Sequence, residues 1–318
     1  MTKSNNPWEG MVQNSERRVD ANIKYDLFWI VDIEERYGFC IKNAHILTIN
    51  NDEINLKGIS IKKIINNEKL NNLYLILNKK DDYEIFQCLC EDLILTAKKY
   101  NESGKIISAV EDRLKRWHQL LKSETFLGLS TEVQMGLFSE LLFLKKYLIN
   151  EMGIHDAIIS WVGPESDKQD FLTKSSIIEI KSYRPTKGEI VHISSIGQLE
   201  NSAKPLFLVA YGLTLSDNGL SISEMIDSIV TLIDDEHTQE IFELKLFEYG
   251  YIFGVSDKKK LNKFIVDSEK GFCVIEGFPR IKSKDIVKQI TSVKYSLDLS
   301  QCVDYQISMD NIFQESDL

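Results

Sequence analysis

The sequence predicts a mixed α/β protein of the α+β class, because three kinds of pattern follow one another along the chain. Short runs that alternate apolar and polar residues occupy residues 25–87, as expected of antiparallel strands. Apolar residues then recur every three or four positions in residues 90–123 and 131–149, which is the period of an amphipathic helix. Shorter strands and helices follow. With 318 residues, 43% of them apolar, the chain is long enough for two domains with real hydrophobic cores.

The first region predicts a β-rich amino-terminal domain, residues 1–123, that ends in two helices. Its expected strands are the runs YDLFWIVDI, YGFCI, NLYLIL and YEIFQC, which are separated by clusters of Asn, Asp and Gly. The two helices are expected in CEDLILTAKKY and ISAVEDRLKRWHQLLKS. The segment ETFLGLS, residues 124–130, is expected to link this domain to the rest of the chain.

A second domain is predicted to begin with the helix TEVQMGLFSELLFLKKYLI, whose residues Val133, Leu137 and Leu141 share one face. Strands are then expected in AIISWV, DFLT, SIIEIKSY, IVHIS and PLFLVAY, with a helix through SIGQLENSA before the last of them. These elements form a predicted core over residues 130–212. Residues 213–318 are expected to pack on this core as two acidic helices and a mixed α/β stretch.

Several classes of protein lack their characteristic motifs in this chain. The longest stretches without charge are shorter than the roughly 18 apolar residues of a membrane-spanning helix, and the amino terminus has no apolar signal-peptide segment. The five cysteines are scattered without a C-x-x-C pair, so reduced structural thiols are expected. No H-E-x-x-H, G-x-S-x-G or P-loop motif occurs. The prediction is a cytoplasmic protein that does not engage a membrane.

Negative charge is concentrated in one part of the chain. The formal net charge is −10, and residues 213–250 contain nine acidic residues and one lysine, which leaves −2 for the rest of the chain. A surface that faces DNA is therefore electrostatically possible outside residues 213–250. No basic groove is evident in the sequence, so weak intrinsic affinity for DNA is expected.

The segment QDFLTKSSIIEIKSYRP, residues 169–185, places Asp170, Glu179 and Lys181 among the apolar positions of two predicted strands. Burying ionised groups is costly unless they pair or hold a metal ion, so this grouping indicates chemistry. Glu179 and Lys181 leave the same face of one strand, about 6.6 Å apart along the chain. The short connection between the strands can return Asp170 to their side. Two carboxylates that meet in this way suit Mg²⁺ or Mn²⁺, and a neighbouring lysine can orient an attacking water.

A second E-x-K tripeptide, Glu243 to Lys245, is preceded by Asp234 at the same interval of nine residues. It lies in a predicted helix, where nine residues correspond to a net rotation of about half a turn and a rise of about 13 Å. Asp234 and Glu243 would therefore point to opposite sides and cannot share a metal ion. Residues 169–185 contain the predicted site, and substitutions in the second set are expected to be nearly neutral for activity.

Together with Glu140 on the preceding helix, these residues resemble the pattern of the PD-(D/E)XK nuclease superfamily, which has the restriction-endonuclease-like fold. The strings GLFSELLFLKKYL, SWVGPESDKQDF, IIEIKSYRPT and HISSIGQLE further resemble the bacterial PD-(D/E)XK motif protein family, whose genes lie in phage-defence and restriction clusters. The similarity is clear from about Gly136 to Asp217 and loose over most of the chain. One residue departs from the pattern, because Gln169 stands where the superfamily has proline.

This resemblance implies a role for each residue of the set. Asp170 and Glu179 would hold Mg²⁺ or Mn²⁺, together with the carbonyl of Ile180. Lys181 would act on the nucleophilic water, and Glu140 would support this metal ion or a second one. Two structural alternatives remain open: Glu140 is a solvated flank of its helix, or Glu179 and Lys181 form a purely structural ion pair in a half-exposed strand.

Four residues after this set are candidates for contact with nucleic acid. Ser195 and Gln198 mark a predicted helix start, whose free amides attract phosphate oxygens, although S-x-x-Q is also the pattern of a capping box. His192 lies on the same approach. Arg184 can clamp a phosphate group, or it can pair with an acidic residue at the surface.

The sequence thus predicts a magnesium-dependent hydrolase of the endonuclease type that acts on DNA. The resemblance implies a component of a bacterial anti-phage defence or restriction system. Its partners there would be MutL-like and helicase-like ATPases and an abortive-infection-type phage-resistance protein. The alternative is a catalytically silent scaffold, or a subunit that recognises nucleic acid or partner proteins, which retains the nuclease fold.

Overall fold

The computed structural model of the chain describes residues 6–20, 23, 25–45, 56, 58–67, 70–99, 103–122, 129–165, 168–200, 204–252, 256 and 261–313. The chain forms two compact units, Met1–Gly128 and Leu129–Leu318. Strands and helices occur in both units, which confirms the predicted mixed α/β class.

An antiparallel sheet of five strands forms the first unit, in the order β1-β2-β3-β5-β4. Its strands are β1 (Ser15–Arg18), β2 (Asp26–Val31), β3 (Tyr37–His45), β4 (Ile59–Asn67) and β5 (Leu70–Leu77). Trp8 is buried against this sheet, because its indole N–H donates to the Gly38 carbonyl at 2.9 Å and its ring stacks on Tyr37. The β-rich character predicted from the alternating runs is confirmed.

Two helices, α1 (Tyr83–Lys99) and α2 (Ser103–Lys122), follow the sheet of the first unit. Asp92 on α1 is 1% exposed. It accepts two hydrogen bonds of 2.6 Å from the Arg113 guanidinium on α2 and one of 2.8 Å from the Trp117 indole. This buried ion pair joins the two helices, since either charge alone would be costly to bury.

The second unit is built on a five-stranded sheet in the order β12-β10-β9-β7-β6. Its strands are β6 (Phe171–Leu172), β7 (Ile177–Tyr183), β9 (Leu206–Ser221), β10 (Lys263–Cys273) and β12 (Gln306–Ile307). β7 and β9 are parallel, and the other neighbours in this sheet are antiparallel. A separate antiparallel pair consists of β8 (Ile190–Ile193) and β11 (Tyr295–Asp298).

The long predicted helix is α3 (Thr131–Phe143), which begins where the Ser130 hydroxyl accepts the Val133 N–H. It continues through a π-helical turn, Leu144–Leu148, into α4 (Ile149–Met152), and α5 (Ile154–Ser160) follows Gly153. The acidic part of the chain forms α6 (Ile222–Val230) and α7 (Glu236–Glu248). Within the described ranges, no helix is long and apolar enough to cross a membrane.

Apolar side chains cover both faces of the sheet in the second unit. Along β7, Ile178 and Ile180 belong to a core that includes α3 residues, whereas Ile177 and Tyr183 belong to a second core that includes β8 residues. Because side chains alternate along a strand, the two residues between Ile177 and Tyr183 on their face, positions 179 and 181, also leave the β8 side of the sheet.

Three predicted elements differ from the observed ones. The run YEIFQC begins α1 instead of forming a strand, since buried residues recur there at the helical period: Phe86, Leu89, Cys90, Leu93. The run AIISWV lies mostly in α5, because the period of so short an apolar run does not distinguish a helix from a strand. SIGQLENSA contains a single 3₁₀ turn, Ile196–Leu199, and residues 201–203 lie outside the described part.

The expected boundary between residues 212 and 213 falls inside β9, which spans Leu206–Ser221. β10 and β12, which follow this boundary, belong to the same sheet as β7. The apolar core that contains α3 also includes residues of α6 and α7. The region after residue 212 is therefore part of the same compact unit.

Lys245, the lysine of the second E-x-K tripeptide, is buried on α7 and 5% exposed. Its ammonium donates hydrogen bonds to the Trp161 carbonyl and, at 2.6 Å, to Glu165 Oε1. Glu243, by contrast, accepts a hydrogen bond of 2.9 Å from Gln239 on the same helix. Lys245 therefore fixes the end of α5 and the loop after it, so the expectation that a substitution here is harmless needs revision.

We predict that Lys245→Met destabilises the second unit by about 1–3 kcal/mol, because it leaves a buried carbonyl without its donor. Glu243→Gln, a matched change on the same helix, should alter the free energy of unfolding by no more than about 0.5 kcal/mol. Urea unfolding followed by circular dichroism measures both. Equal stability of the two variants would contradict the buried role of Lys245.

Candidate active site

The Asp170 carboxylate takes the place of a backbone partner at the edge of β7. Its own amide donates to the Ile178 carbonyl at 3.2 Å, which extends the pairing of β6 and β7 by one residue. One step along β7, Asp170 Oδ2 accepts the Ile180 N–H at 2.6 Å. Because the backbone groups of alternate strand residues point to the same edge, the Ile180 carbonyl also faces the edge where Asp170 lies.

Glu179 and Lys181 form an ion pair on the β8 side of β7. Lys181 Nζ lies 2.5 Å from Glu179 Oε1, and the two side chains are 14% and 0% exposed. The second carboxylate oxygen, Glu179 Oε2, is buried and has no hydrogen-bond partner among the described residues. A buried carboxylate oxygen without a donor is energetically costly, so this atom is the unsatisfied point of the cluster.

Glu140 extends from α3 and is also buried, at 4% exposure. Its Oε2 accepts the Trp161 indole N–H at 2.6 Å, and its Oε1 accepts the Tyr249 hydroxyl. The alternative that Glu140 is a solvated flank of its helix is therefore wrong. Trp161 follows α5 and Tyr249 follows α7, so two later elements of the chain hold this carboxylate in place.

Gly163 allows Glu140 and Asp170 to approach each other. A Cβ atom at this position would lie 2.9 Å from Asp170 Oδ1 and 3.2 Å from Glu140 Oε2, so the two carboxylates border the same small space. The amides of Val162 and Gly163 donate to the Asp170 carbonyl at 2.9 and 3.0 Å. The loop after α5 is thereby tied to the strand edge that carries Asp170.

Burial and mutual repulsion raise the pKa values of the three carboxylates. Burial raises the pKa of Glu179 and of Glu140 well above the usual range, and the charge of Asp170 raises both further. Burial also raises the pKa of Asp170, although Lys181 and the Ile180 amide partly offset it. Burial lowers the pKa of Lys181, but the three carboxylates outweigh this and raise it. The single positive charge of Lys181 thus faces the negative charges of three carboxylates, so the cluster favours an additional cation.

The donor atoms suit a hard divalent cation. Asp170 and Glu179 supply carboxylate oxygens, and the Ile180 carbonyl lies at the same strand edge. Across the described ranges, no three His, Cys, Asp or Glu side chains are placed to hold a metal ion together. An ion at this edge would therefore bind two carboxylates and complete its coordination with the carbonyl and water, and Mg²⁺ in proteins commonly keeps several waters.

Gln169 connects the cluster to the turn Ile196–Leu199, because its Nε2 donates to the Gly197 carbonyl at 2.5 Å. The capping box that was the structural alternative for Ser195 and Gln198 is absent. Gln198 Oε1 instead accepts the Ser194 N–H at 2.8 Å, and the Ser195 side chain makes no capping hydrogen bond. The physical reason is that the described part of the segment makes one 3₁₀ turn, in which the Gln198 N–H donates to the Ser195 carbonyl, and no α-helix begins there.

Arg184 and His192 lie outside the cluster of acids. Arg184 pairs with Glu132 on α3 at 3.1 Å, which is the surface-pair alternative. His192 is exposed on β8, and its Nδ1 lies 2.9 Å from the Ser296 hydroxyl on β11. Its neighbours on β8 pack into the core, so the imidazole leaves the opposite face of this strand pair, away from the core that borders Glu179.

Four residues that position the site are not among the residues predicted from the sequence: Trp161, Gly163, Lys245 and Tyr249. The dipeptide Gly-Pro in SWVGPESDKQDF, close before Asp170, was a usable signal for a tight approach. Nothing in the sequence marks Tyr249 or Lys245, since their contacts with Glu140 and with Glu165 join residues 109 and 80 positions apart.

The family of the chain agrees with this geometry. A family model described as "Putative PD-(D/E)XK family member, (DUF4420)" matches residues 4–300. No curated protein and no solved structure shows significant similarity to the chain. The match extends over parts of both compact units and includes every residue of the acidic cluster. The chain therefore belongs to this PD-(D/E)XK-like family, DUF4420.

Proposed function

We propose that the protein is a metal-dependent nuclease that hydrolyses phosphodiester bonds of DNA. The observation that carries the proposal is that Asp170 binds the Ile180 amide of β7 while Glu179 pairs with Lys181 on the same strand, with Glu179 Oε2 buried and unpartnered in the described part of the chain. The pKa of Glu179 is raised by burial and by the charge of Asp170, so the two carboxylates act on each other. Family membership supports a nuclease-type protein. A purely structural scaffold has no need of several buried carboxylates with raised pKa values, which are more typical of functional sites.

Asp170 and Glu179, with the carbonyl of Ile180, would hold the divalent ion, Mg²⁺ or Mn²⁺. Such an ion supplies positive charge that stabilises the transition state at phosphorus. Contacts within the chain hold both carboxylates in a fixed orientation. The Ile180 amide orients Asp170, and Lys181 orients Glu179.

Lys181 would orient the attacking water and the phosphate through its N–H donors. The surrounding carboxylates raise its pKa, so in the present arrangement its ammonium is protonated at neutral pH and donates hydrogen bonds. Glu140 is held by Trp161 and Tyr249 at the Asp170 side of the cluster, where its negative charge would support a bound cation.

We further propose that the protein works in the cytoplasm as a component of a bacterial anti-phage defence or restriction system. A nuclease with free access to chromosomal DNA would be toxic, and the net charge of −8 on residues 213–250 disfavours DNA binding. Partners such as MutL-like and helicase-like ATPases and an abortive-infection-type protein would bring it to DNA. Tethering can raise the effective local concentration to the millimolar range when the geometry fits.

The metal ligands and the lysine should give different phenotypes. We predict that Asp170→Asn and Glu179→Gln lose divalent-ion binding, measured by calorimetry, and also lose cleavage of supercoiled plasmid in the presence of the partner proteins and their nucleotide. Lys181→Ala should keep ion binding and lose at least about 100-fold in cleavage rate, because it removes a group that acts on the water. His192→Ala is the matched control outside the cluster and should cleave like the wild type.

Full divalent-dependent activity of Asp170→Asn would show that the metal assignment is wrong. DNA binding in Ca²⁺ without cleavage in Mg²⁺ or Mn²⁺, with all partners present, would favour the second candidate, a silent scaffold or recognition subunit.

The raised pKa of Glu179 predicts a pH-dependent stability in the absence of metal ions. Its contribution to stability is fully present below the ordinary carboxyl pKa and is lost as pH rises through the raised folded-state pKa. In EDTA, the melting temperature of Glu179→Gln minus that of the wild type should therefore increase from pH 5 to pH 8. Glu243→Gln on α7 serves as the control for a carboxylate-to-amide change, and a difference that falls with pH would contradict the account.

Dependence on partners gives a further prediction. The purified chain should cleave plasmid slowly or not at all with Mg²⁺ alone, because few phosphate contacts give weak binding near physiological salt. Addition of the partner proteins and their nucleotide should produce marked cleavage, which a gel assay measures. Rapid cutting by the lone chain, or binding of a 50-base-pair duplex tighter than about 100 nM at 150 mM salt, would refute this dependence.

A further inference from the structure

A basic segment lies between β10 and β11 in the second unit. Residues 280–294 contain five basic residues and one acidic residue, a net charge of +4: Arg280, Lys282, Lys284, Lys288, Lys294 and Asp285. The whole chain carries −10. This segment is therefore basic within an acidic chain. The overall net charge does not reveal it, because the segment is short.

Three of these lysines are available to a ligand. Lys284, Lys288 and Lys294 are exposed, and none of them has a carboxylate within 4.0 Å in the described part of the chain. The other two basic residues have structural partners, since Lys282 pairs with Glu276 at 2.6 Å and Arg280 donates to the Leu199 carbonyl at 2.7 Å. The segment thus has an anchored start, followed by three exposed lysines without a carboxylate partner among the described residues.

The start of the segment is fixed to the turn that Gln169 holds. Arg280 contacts Leu199 at the end of this turn, and the amide and hydroxyl of Ser283 both donate to the Glu200 carboxylate. Gln169 donates to Gly197 in the same turn and directly precedes Asp170 in sequence. A short chain of contacts therefore connects the metal-binding edge to the basic segment.

The end of the segment returns to the same side of the sheet. Residue 294 is followed directly by β11, which pairs with β8, and Tyr295 of β11 lies opposite Ile193. Both ends of the segment are therefore held on the β8 side, where Glu179 and Lys181 leave β7.

We propose that residues 280–294 form the surface that binds the phosphate backbone of duplex DNA and leads it to the edge of β7. This inference rests on the proposed nuclease function and names its substrate-contacting surface. Lysine side chains bind phosphates as point charges without reading sequence, so the surface fits a backbone rather than base edges. An acidic protein partner is the competing occupant, and the test below separates the two.

The number of free lysines sets the expected strength of binding. About three phosphate contacts predict a slope of about −2.7 for the logarithm of the association constant against the logarithm of salt concentration. Binding should then weaken about 40-fold between 50 and 200 mM salt, which is weak but measurable for the chain alone. A surface of this size agrees with a nuclease that depends on partners for tight engagement.

The test compares two triple variants of the full chain in binding to a 30-base-pair DNA duplex, followed by fluorescence anisotropy in EDTA from 50 to 200 mM salt. Lys284→Ala, Lys288→Ala and Lys294→Ala together should weaken binding at least about 10-fold at 50 mM salt and bring the slope close to zero. Lys79→Ala, Lys98→Ala and Lys115→Ala remove the same charge from exposed positions of the first unit, and this control should leave the slope nearly unchanged. Equal loss in both variants, or no loss in the first, would overturn the proposal.

Two further readouts separate this inference from the nuclease proposal. Asp170→Asn should bind the duplex as the wild type does but not cleave it when the partner proteins and their nucleotide are present. The variant lacking the three lysines should still bind Mn²⁺ in calorimetry. If that variant binds DNA normally while wild-type cleavage needs Asp170, the inference fails and the proposed function stands. If the variant lacking the three lysines loses DNA binding while Asp170→Asn still cleaves fully, the DNA-binding surface stands and the proposed metal site fails. Polyglutamate that displaces the duplex at an equal concentration of charge would assign the surface to an acidic protein.

Discussion

The hydrogen bond from the Ile180 amide to the Asp170 carboxylate is the interaction on which the rest of the site depends. β6 contains only two residues, Phe171 and Leu172, so β7 has a strand partner on this side for only part of its length. A side chain fills the next pairing position, at 2.6 Å, in place of a backbone carbonyl. This edge of the sheet thereby carries a half-buried acid, and burial together with the charge of that acid raises the pKa values of Glu140 and Glu179.

The cluster is assembled from both faces of the sheet. Glu140 approaches from the α3 side, while Glu179 and Lys181 leave the β8 side, so the groups meet only at the edge where β6 ends. The later part of the chain completes this arrangement. Tyr249, after α7, holds Glu140, and the segment of residues 280–294 brings positive charge to the β8 side. Residues 130–212 and the carboxyl-terminal region therefore act as one structural unit.

Local patterns were enough to predict which residues of one hairpin contribute to the candidate site. Asp170, Glu179 and Lys181 were identified because the strand period and a short connection determine which side chains meet. The helix start predicted at Ser195 and Gln198 was wrong, since the described part of this segment makes a 3₁₀ turn without the alternative capping box. The support from Tyr249 was not predictable, because residue pairs separated by long stretches of chain leave no periodic signal. The alternating apolar and polar runs predicted the β-rich first unit, but they carry no information about its function.

The central claim is that Asp170 and Glu179 share a divalent cation, and a crystal structure with Mn²⁺ tests it most directly. The carboxylates have raised pKa values and Glu179 Oε2 has no partner among the described residues, so a cation should bind without the substrate or partner proteins. The account predicts an anomalous-difference peak at the edge of β7, from a Mn²⁺ ion that both carboxylates bind. Crystals saturated with Mn²⁺ that show no peak there, with Lys181 still paired to Glu179, would contradict it.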